Sequence, residues 1–278
     1  MLLLVKEVIF RFYEEGFFGY GEKGDFKYFS FWHFLPIILL VVGIVLTYDY
    51  REKIRNSKHE KTFRLILGMV MMFTEMSYFW RLLYIGNTDI GESDMMSRLP
   101  FQICEWTCIF ATLMVLTENK HFFDIDVVVC LTLGILPLVL PAVIQRTGPT
   151  YYRYYQFWLE HLLPIYAVFY MMFVKEFKYD VKKIYKPFIF LLVLGSICIF
   201  LNYKFPQATY MYLQGDDLGA FLTSLLPENQ FGRLAIYLCV ALVLFGAEFL
   251  VFHFLEKKKL AKEAKEVPVE QQEEPEKQ

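Results

Sequence analysis

The sequence carries apolar runs too long and too numerous to be the core-facing stripes of a soluble domain. Seven of them fall near 31–48, 63–84, 101–117, 125–143, 157–174, 184–201 and 233–255. A helix rising about 1.5 Å per residue needs roughly 20 residues to cross a hydrocarbon core of about 30 Å, and most of the runs reach or approach that length. Hydrophobic residues make up 56% of the 278-residue chain, more than the interior of a water-soluble protein of that size can hide. In lipid each backbone N–H and C=O must be paired inside the protein, and unbroken runs without period-2 alternation meet that demand as helices. The expected fold is all-α: a polytopic membrane bundle of seven transmembrane helices.

The flanks read differently. Residues 1–30 are apolar but studded with Lys6, Glu7, Arg11, Glu14 and Glu15, which suits an amphipathic helix on the membrane surface and not a cleaved signal peptide. Residues 31–255 form the transmembrane domain, and 256–278 read as a disordered, charged cytoplasmic tail. Lys and Arg set the orientation. The segments 49–64, 118–124, 175–187 and 256–278 hold 18 basic residues, against 8 in 1–30, 85–100, 144–156 and 202–232. The positive-inside rule then gives an outside N-terminus and a cytoplasmic C-terminus.

Several function classes are excluded at this stage. A net charge of −2 spread over hydrophobic spans offers no nucleic-acid footprint, and no Walker, GxGxxG or HExxH string occurs. The five cysteines sit in or beside apolar runs with no CxxC pair, so neither a disulfide framework nor a metal ligand-spacing motif is implied. No cofactor and no metal are expected.

Ionisable groups inside a membrane are costly and mark functional candidates. In the predicted orientation the third run enters from outside at Phe101, which puts Cys104 and Glu105 about one turn deep. The fifth enters from outside at Phe157, which puts Glu160 and His161 at the same depth, with Glu75 and Arg81 in the outer part of the second run. The cytoplasmic half is expected to hold almost none. Each candidate has a plainer alternative. A membrane cysteine is ordinarily a packing residue, as Cys130, Cys198 and Cys239 are read here. Cys104 differs because it follows Pro100 at a helix start, where the free N–H dipoles favour a thiolate. His161 could be a satisfied hydrogen-bonding residue, Arg81 could snorkel to headgroups, and Glu105 could simply face water. Glu75 is too deep to escape and needs a partner from another helix, or a proton.

The strings LPFQIC (Leu99 to Cys104), FWLEH (Phe157 to His161), and NY followed by YMYL (Asn202, Tyr203, and Tyr210 to Leu213) occur in that order. Together they resemble the YwaF-type family of bacterial integral membrane proteins, over roughly residues 60 to 255. That family has a eukaryotic relative that acts as a seven-helix, cysteine-dependent acyltransferase of ether-phospholipid synthesis. The resemblance implies a bacterial plasma-membrane protein in which Cys104 is the nucleophile and His161 the base. Gln102, Asn202 and Tyr210 would be groups positioning the substrate, beside Glu75 and Arg81 from the reading of the runs. The partner would be a membrane phospholipid or acyl-lipid. A lipid or fatty-ester hydrolase is the neighbouring alternative. A small-molecule or lipid transporter using Glu75 and His161 as a proton relay is the alternative from another class.

Overall fold

The computed structural model describes residues 17–18, 26–85, 99–139, 141, 148–206, 208–215 and 223–266, with the side chains of 81–85, 256 and 259–266 outside that description. Seven long helices follow the seven apolar runs: α1 (Phe31–Asp49), α2 (Glu60–Ile85), α3 (Ile103–Thr117), α4 (Lys120–Thr132), α5 (Tyr152–Phe173), α6 (Tyr185–Lys204) and α7 (Gln230–Glu266). No strand occurs among the described residues. The surface amphipathic helix expected over 1–30 lies almost wholly outside them.

Several boundaries depart from the expectation, three of them for a reason visible in the local sequence. α4 starts at Lys120 and not near 125, because the Asn119 side chain caps it by accepting the His121 N–H at 2.8 Å. It then tightens into a 3-10 turn over Leu133–Ile135 and a four-residue helix, Leu136–Val139. Pro137 lacks the N–H that would bond the Leu133 carbonyl, which places the break there. α7 continues to Glu266, so the first part of the tail expected to be disordered is helical. Its Lys, Glu, Ala and Leu residues are strong helix formers and extend a helix already nucleated by the apolar run.

Four stretches are long and apolar enough to cross a membrane: Phe31–Asp49, Lys120–Val139, Val181–Lys204 and Gln230–Leu255. α3 is apolar but has only 15 residues, and α2 and α5 carry charged groups within their length. The protein is membrane-spanning.

The chain runs up and down, as the contacts at its two ends show. At one end Arg64 pairs with Glu60 and, at 2.6 Å, with Glu118; Lys175 reaches Glu118 at 2.9 Å; and Lys183 and Lys186 both hold Asp124. These ties join the start of α2, the end of α3, the start of α4, the end of α5 and the start of α6. At the other end the loop after α6 folds back onto the start of α3. α5 is central, packing against α1, α2, α3 and α4, while α6 and α7 pair with each other and lean on α4. The main core is built chiefly from α3, α4 and α5, with Cys108, Met114, Val127, Val168 and Tyr170 fully enclosed together with Met71 of α2.

Candidate functional site

α3 and α5 are parallel neighbours whose starts lie at the same end of the bundle, and Cys104 in the first turn of α3 meets Glu160 and His161 more than two turns into α5. Ligand atoms of Cys104, Glu160 and His161 all lie within 4.8 Å of one another. Cys104 is half-buried, while Glu160 and His161 are buried. The carboxylates of Glu160, Glu105 and Glu75 all stand within electrostatic reach of the thiol.

Two buried histidines show how the fold treats this residue type. At His33 the Phe29 N–H donates to Nδ1 at 2.9 Å, so Nε2 carries the proton and donates to the Leu138 carbonyl at 2.7 Å. Both nitrogens are satisfied, and His33 ties α1 to the end of the α4 run. At His161 the acceptor is the Phe157 carbonyl, 2.8 Å from Nδ1. A carbonyl can only accept, so Nδ1 holds the proton and the neutral ring keeps its lone pair on Nε2. The Phe157 ring lies 4.3 Å from the imidazole centroid and fixes its plane.

Glu160 is held from its own helix. Gln156 Nε2 donates to Oε2 at 2.8 Å, and Arg153 Nη1 reaches the same oxygen at 3.3 Å while also donating to Gln156. Arg153, Gln156 and Glu160 are spaced i, i+3, i+7, one face of a helix. That spacing lies in YRYYQFWLEH, but the apolar run begins only at Phe157 and leaves Arg153 and Gln156 in the preceding loop, whereas the helix itself starts at Tyr152. The Arg153 guanidinium also lies over the Tyr78 ring, 4.0 Å from its centroid. Pro164 removes the N–H that would bond the Glu160 carbonyl, so the helix is opened beside the site.

The remaining candidates divide. Glu75 is buried on α2 within electrostatic reach of Glu160 and Arg153, and its Oε2 has no hydrogen-bond partner among the described residues. Arg81 lies on α2, with its side chain outside the description. Glu105 is buried and accepts the Gln102 N–H at 2.7 Å, so it caps α3. Gln102, Asn202 and Tyr210 come together, but with one another. Gln102 Oε1 accepts the Met211 N–H at 2.9 Å, and Asn202 bonds the Tyr210 N–H at 3.0 Å and its carbonyl at 3.2 Å. The Leu99 N–H donates to the Tyr210 hydroxyl at 2.9 Å. They lock the 3-10 turn Tyr210–Tyr212 onto the entrance of α3. Met211 takes a positive φ of 53°, a conformation this network holds in place.

The cytoplasmic-side expectation needs correction. Asp124 and Asp126 on α4 are fully buried, and Glu248 on α7 has both carboxylate oxygens enclosed without a partner among the described residues. Asp126 accepts from the Cys130 thiol at 3.4 Å. The polar residues are therefore not confined to one layer. Asp124, expected in the loop before the fourth run, lies within α4, and Asp126 lies on the same helix two residues further on.

Cys, His and Glu are also ligand types for a soft divalent ion, and this trio has a suitable ring nitrogen in Nε2. Against that use, Arg153 already gives the Glu160 carboxylate a cation.

A family model described as the TMEM164 family matches residues 28–253. No curated protein and no solved structure matches the chain.

Proposed function

The chain belongs to the TMEM164 family, and from that premise we propose that it is a membrane enzyme moving acyl groups between lipids through a thioester on Cys104, with His161 as base. The observation that carries this reading is the meeting of Cys104, Glu160 and His161 within 4.8 Å, contributed by two helices far apart in sequence. The resemblance to YwaF-type proteins and their cysteine acyltransferase relative supplies the reaction class.

The step balances with the groups present. His161 Nε2 takes the thiol proton as sulfur forms a bond to the ester carbonyl carbon of a donor lipid. The tetrahedral oxyanion is met by N–H groups at the start of α3, which have no intrahelical acceptor. The ester C–O bond breaks, and the lyso-lipid oxygen leaves with the proton from His161. An acceptor hydroxyl then gives its proton to Nε2, attacks the thioester, and releases the thiol. Glu160, held by Gln156 and Arg153, stabilises the imidazolium formed between the two halves. If water is the acceptor, the same machinery is a hydrolase.

All seven helices cross the membrane in this proposal, with the N-terminus outside and the tail cytoplasmic. The 18-to-8 distribution of basic residues supports that orientation. The short α3 and charged α2 and α5 cluster around the site, and their packing keeps the charged Glu75, Arg153 and Glu160 side chains away from lipid. The membrane is a cell membrane and the site lies in its outer leaflet. A maleimide test of Ser57→Cys, expected to react only from the cytoplasmic side, checks this. The activity test uses protein reconstituted in vesicles containing phospholipid with a labelled acyl chain and a lyso-phospholipid acceptor. Labelled diacyl product that disappears in Cys104→Ala supports transfer, and product formation by that variant overturns it.

A transporter reading is favoured by one observation: Glu75 and Asp126 each keep a buried carboxylate oxygen without a partner among the described residues, at two depths of the bundle. Proton flux across vesicles that is lost in Asp126→Asn but kept in Cys104→Ala would support it.

A further inference from the structure

An open groove of about 520 Å³ runs between α2 and α5, a volume in the range of ordinary ligand pockets. Its walls are two facing stripes at helical spacing, with Ile66, Val70, Thr74 and Ser77 on α2 and Gln156 and Leu159 on α5 among the lining residues. The groove is graded along its length. The part toward Ile66 is apolar and open to the bundle exterior, as the exposure of Ile66, Val70 and Leu159 shows. The part toward Ser77 is floored by polar groups: Thr74, Ser77 bonded to the Tyr152 hydroxyl, and the Gln156 amide, which is 1% exposed. Ile66 to Ser77 spans about 16 Å along a helix. That is about half of a 30 Å hydrocarbon core, the depth one lipid tail fills.

The polar end leads to the reacting groups. Gln156 lines the groove and donates at 2.8 Å to Glu160, whose carboxylate is one of the two groups clustered with the Cys104 sulfur. A groove facing lipid, apolar over one leaflet's depth and hydrogen-bonding only at the end beside the cluster, has the layout of an ester-linked chain. Neither a peptide nor a soluble metabolite would place its polar atoms that way.

We infer that this groove holds one long acyl chain of a membrane glycerolipid, with its ester at the Ser77–Gln156 end, where Gln156 positions the carbonyl beside Cys104. The inference rests on the acyl-transfer reading for its chemistry, but the groove can be read out separately. Val70→Trp and Leu159→Trp each fill it from one wall, at positions exposed enough to accept a large ring without repacking the core.

The first measurement is acylation of Cys104 in the full-length protein by activated thioesters of a long and a two-carbon acyl group. Either filling variant is expected to lower long-chain acylation by about tenfold or more, the scale on which pockets discriminate chain length, and to leave two-carbon acylation unchanged. Unchanged long-chain acylation in both variants overturns the inference. The second measurement uses vesicles of phosphatidylcholine carrying a mid-chain photoreactive group. Cross-links concentrated on the α2–α5 groove and lost in Val70→Trp support the inference even if Cys104 takes no acyl group, an outcome that would remove the transfer reading alone. Cross-links spread evenly around the bundle overturn the groove, whatever Cys104 does.

Discussion

His161 donates its Nδ1–H to the carbonyl oxygen of Phe157, one turn back on α5, at 2.8 Å. This bond fixes the tautomer, so the only basic atom of the imidazole is Nε2. His33, buried in the same bundle, has both nitrogens bonded and no lone pair to offer. The difference leaves His161 with a ring lone pair free of its Phe157 bond and His33 with none.

The first prediction separates the two cysteines of α3. Cys104→Ala is expected to abolish covalent labelling by acyl probes, read by intact mass, while Cys108→Ala labels like the parent. Cys108 is fully enclosed, with its thiol turned to the Met71 carbonyl at 3.6 Å. His161→Ala should slow labelling by about 10²- to 10⁴-fold, the usual contribution of a positioned base. Equal labelling of both cysteines would reduce Cys104 to a packing residue.

Asn202 is expected to matter through the fold. Its side chain satisfies both the N–H and the carbonyl of Tyr210. Asn202→Ala should lower stability by about 1–3 kcal/mol, the cost of stranding buried polar groups, seen as a lower unfolding temperature in detergent. A variant as stable as the parent, yet unable to accept substrate, would show that Asn202 contacts the lipid and does not lock the loop.

Glu118 gives the protein a pH dependence outside the membrane. The Lys175 ammonium, bonded at 2.9 Å, holds its carboxyl below the usual range, with Arg64 adding to the effect. A depressed folded-state value means the stabilisation is present above the unfolded carboxylate pKa of about 4.3 and is lost as pH falls through the folded value. The Glu118 side chain is 39% exposed, so solvent screening keeps the contribution below about 1 kcal/mol. Glu118→Gln should lower the unfolding temperature slightly at pH 7 and by less as the pH is brought down to 3. An equal loss at both pH values would show that the charge is irrelevant.

Prolonged dialysis against a chelator is expected to leave acyl transfer unchanged, since Arg153 supplies the cation at Glu160. Added zinc should protect Cys104 from alkylation by occupying the thiol and Nε2. Activity lost on chelation and restored by zinc would make Cys104, Glu160 and His161 a metal centre.

The sequence by itself determined the helices. The rule that decides them is local: a run in lipid must satisfy its own backbone, so apolar length alone predicts α1 to α7 to within a few residues at most ends. It also put Cys104 at the start of its helix, but His161, expected one turn in, lies more than two turns into α5 because that helix begins at Tyr152. The tertiary structure decided which polar groups answer to one another. Gln102 and Met211 bond across 109 positions, and no spacing within either segment signals it. Arg153 and Gln156 entered the site because α5 begins before its apolar run does, held by aromatic contacts such as Phe17 with Tyr152 that no periodicity encodes. Asp124 came inside α4 in the same way, because the Asn119 cap starts that helix ahead of its apolar run. A side chain's length of helix is written in its neighbours in sequence, but its partner is chosen by packing between segments far apart in the chain, and that is settled only when the bundle closes.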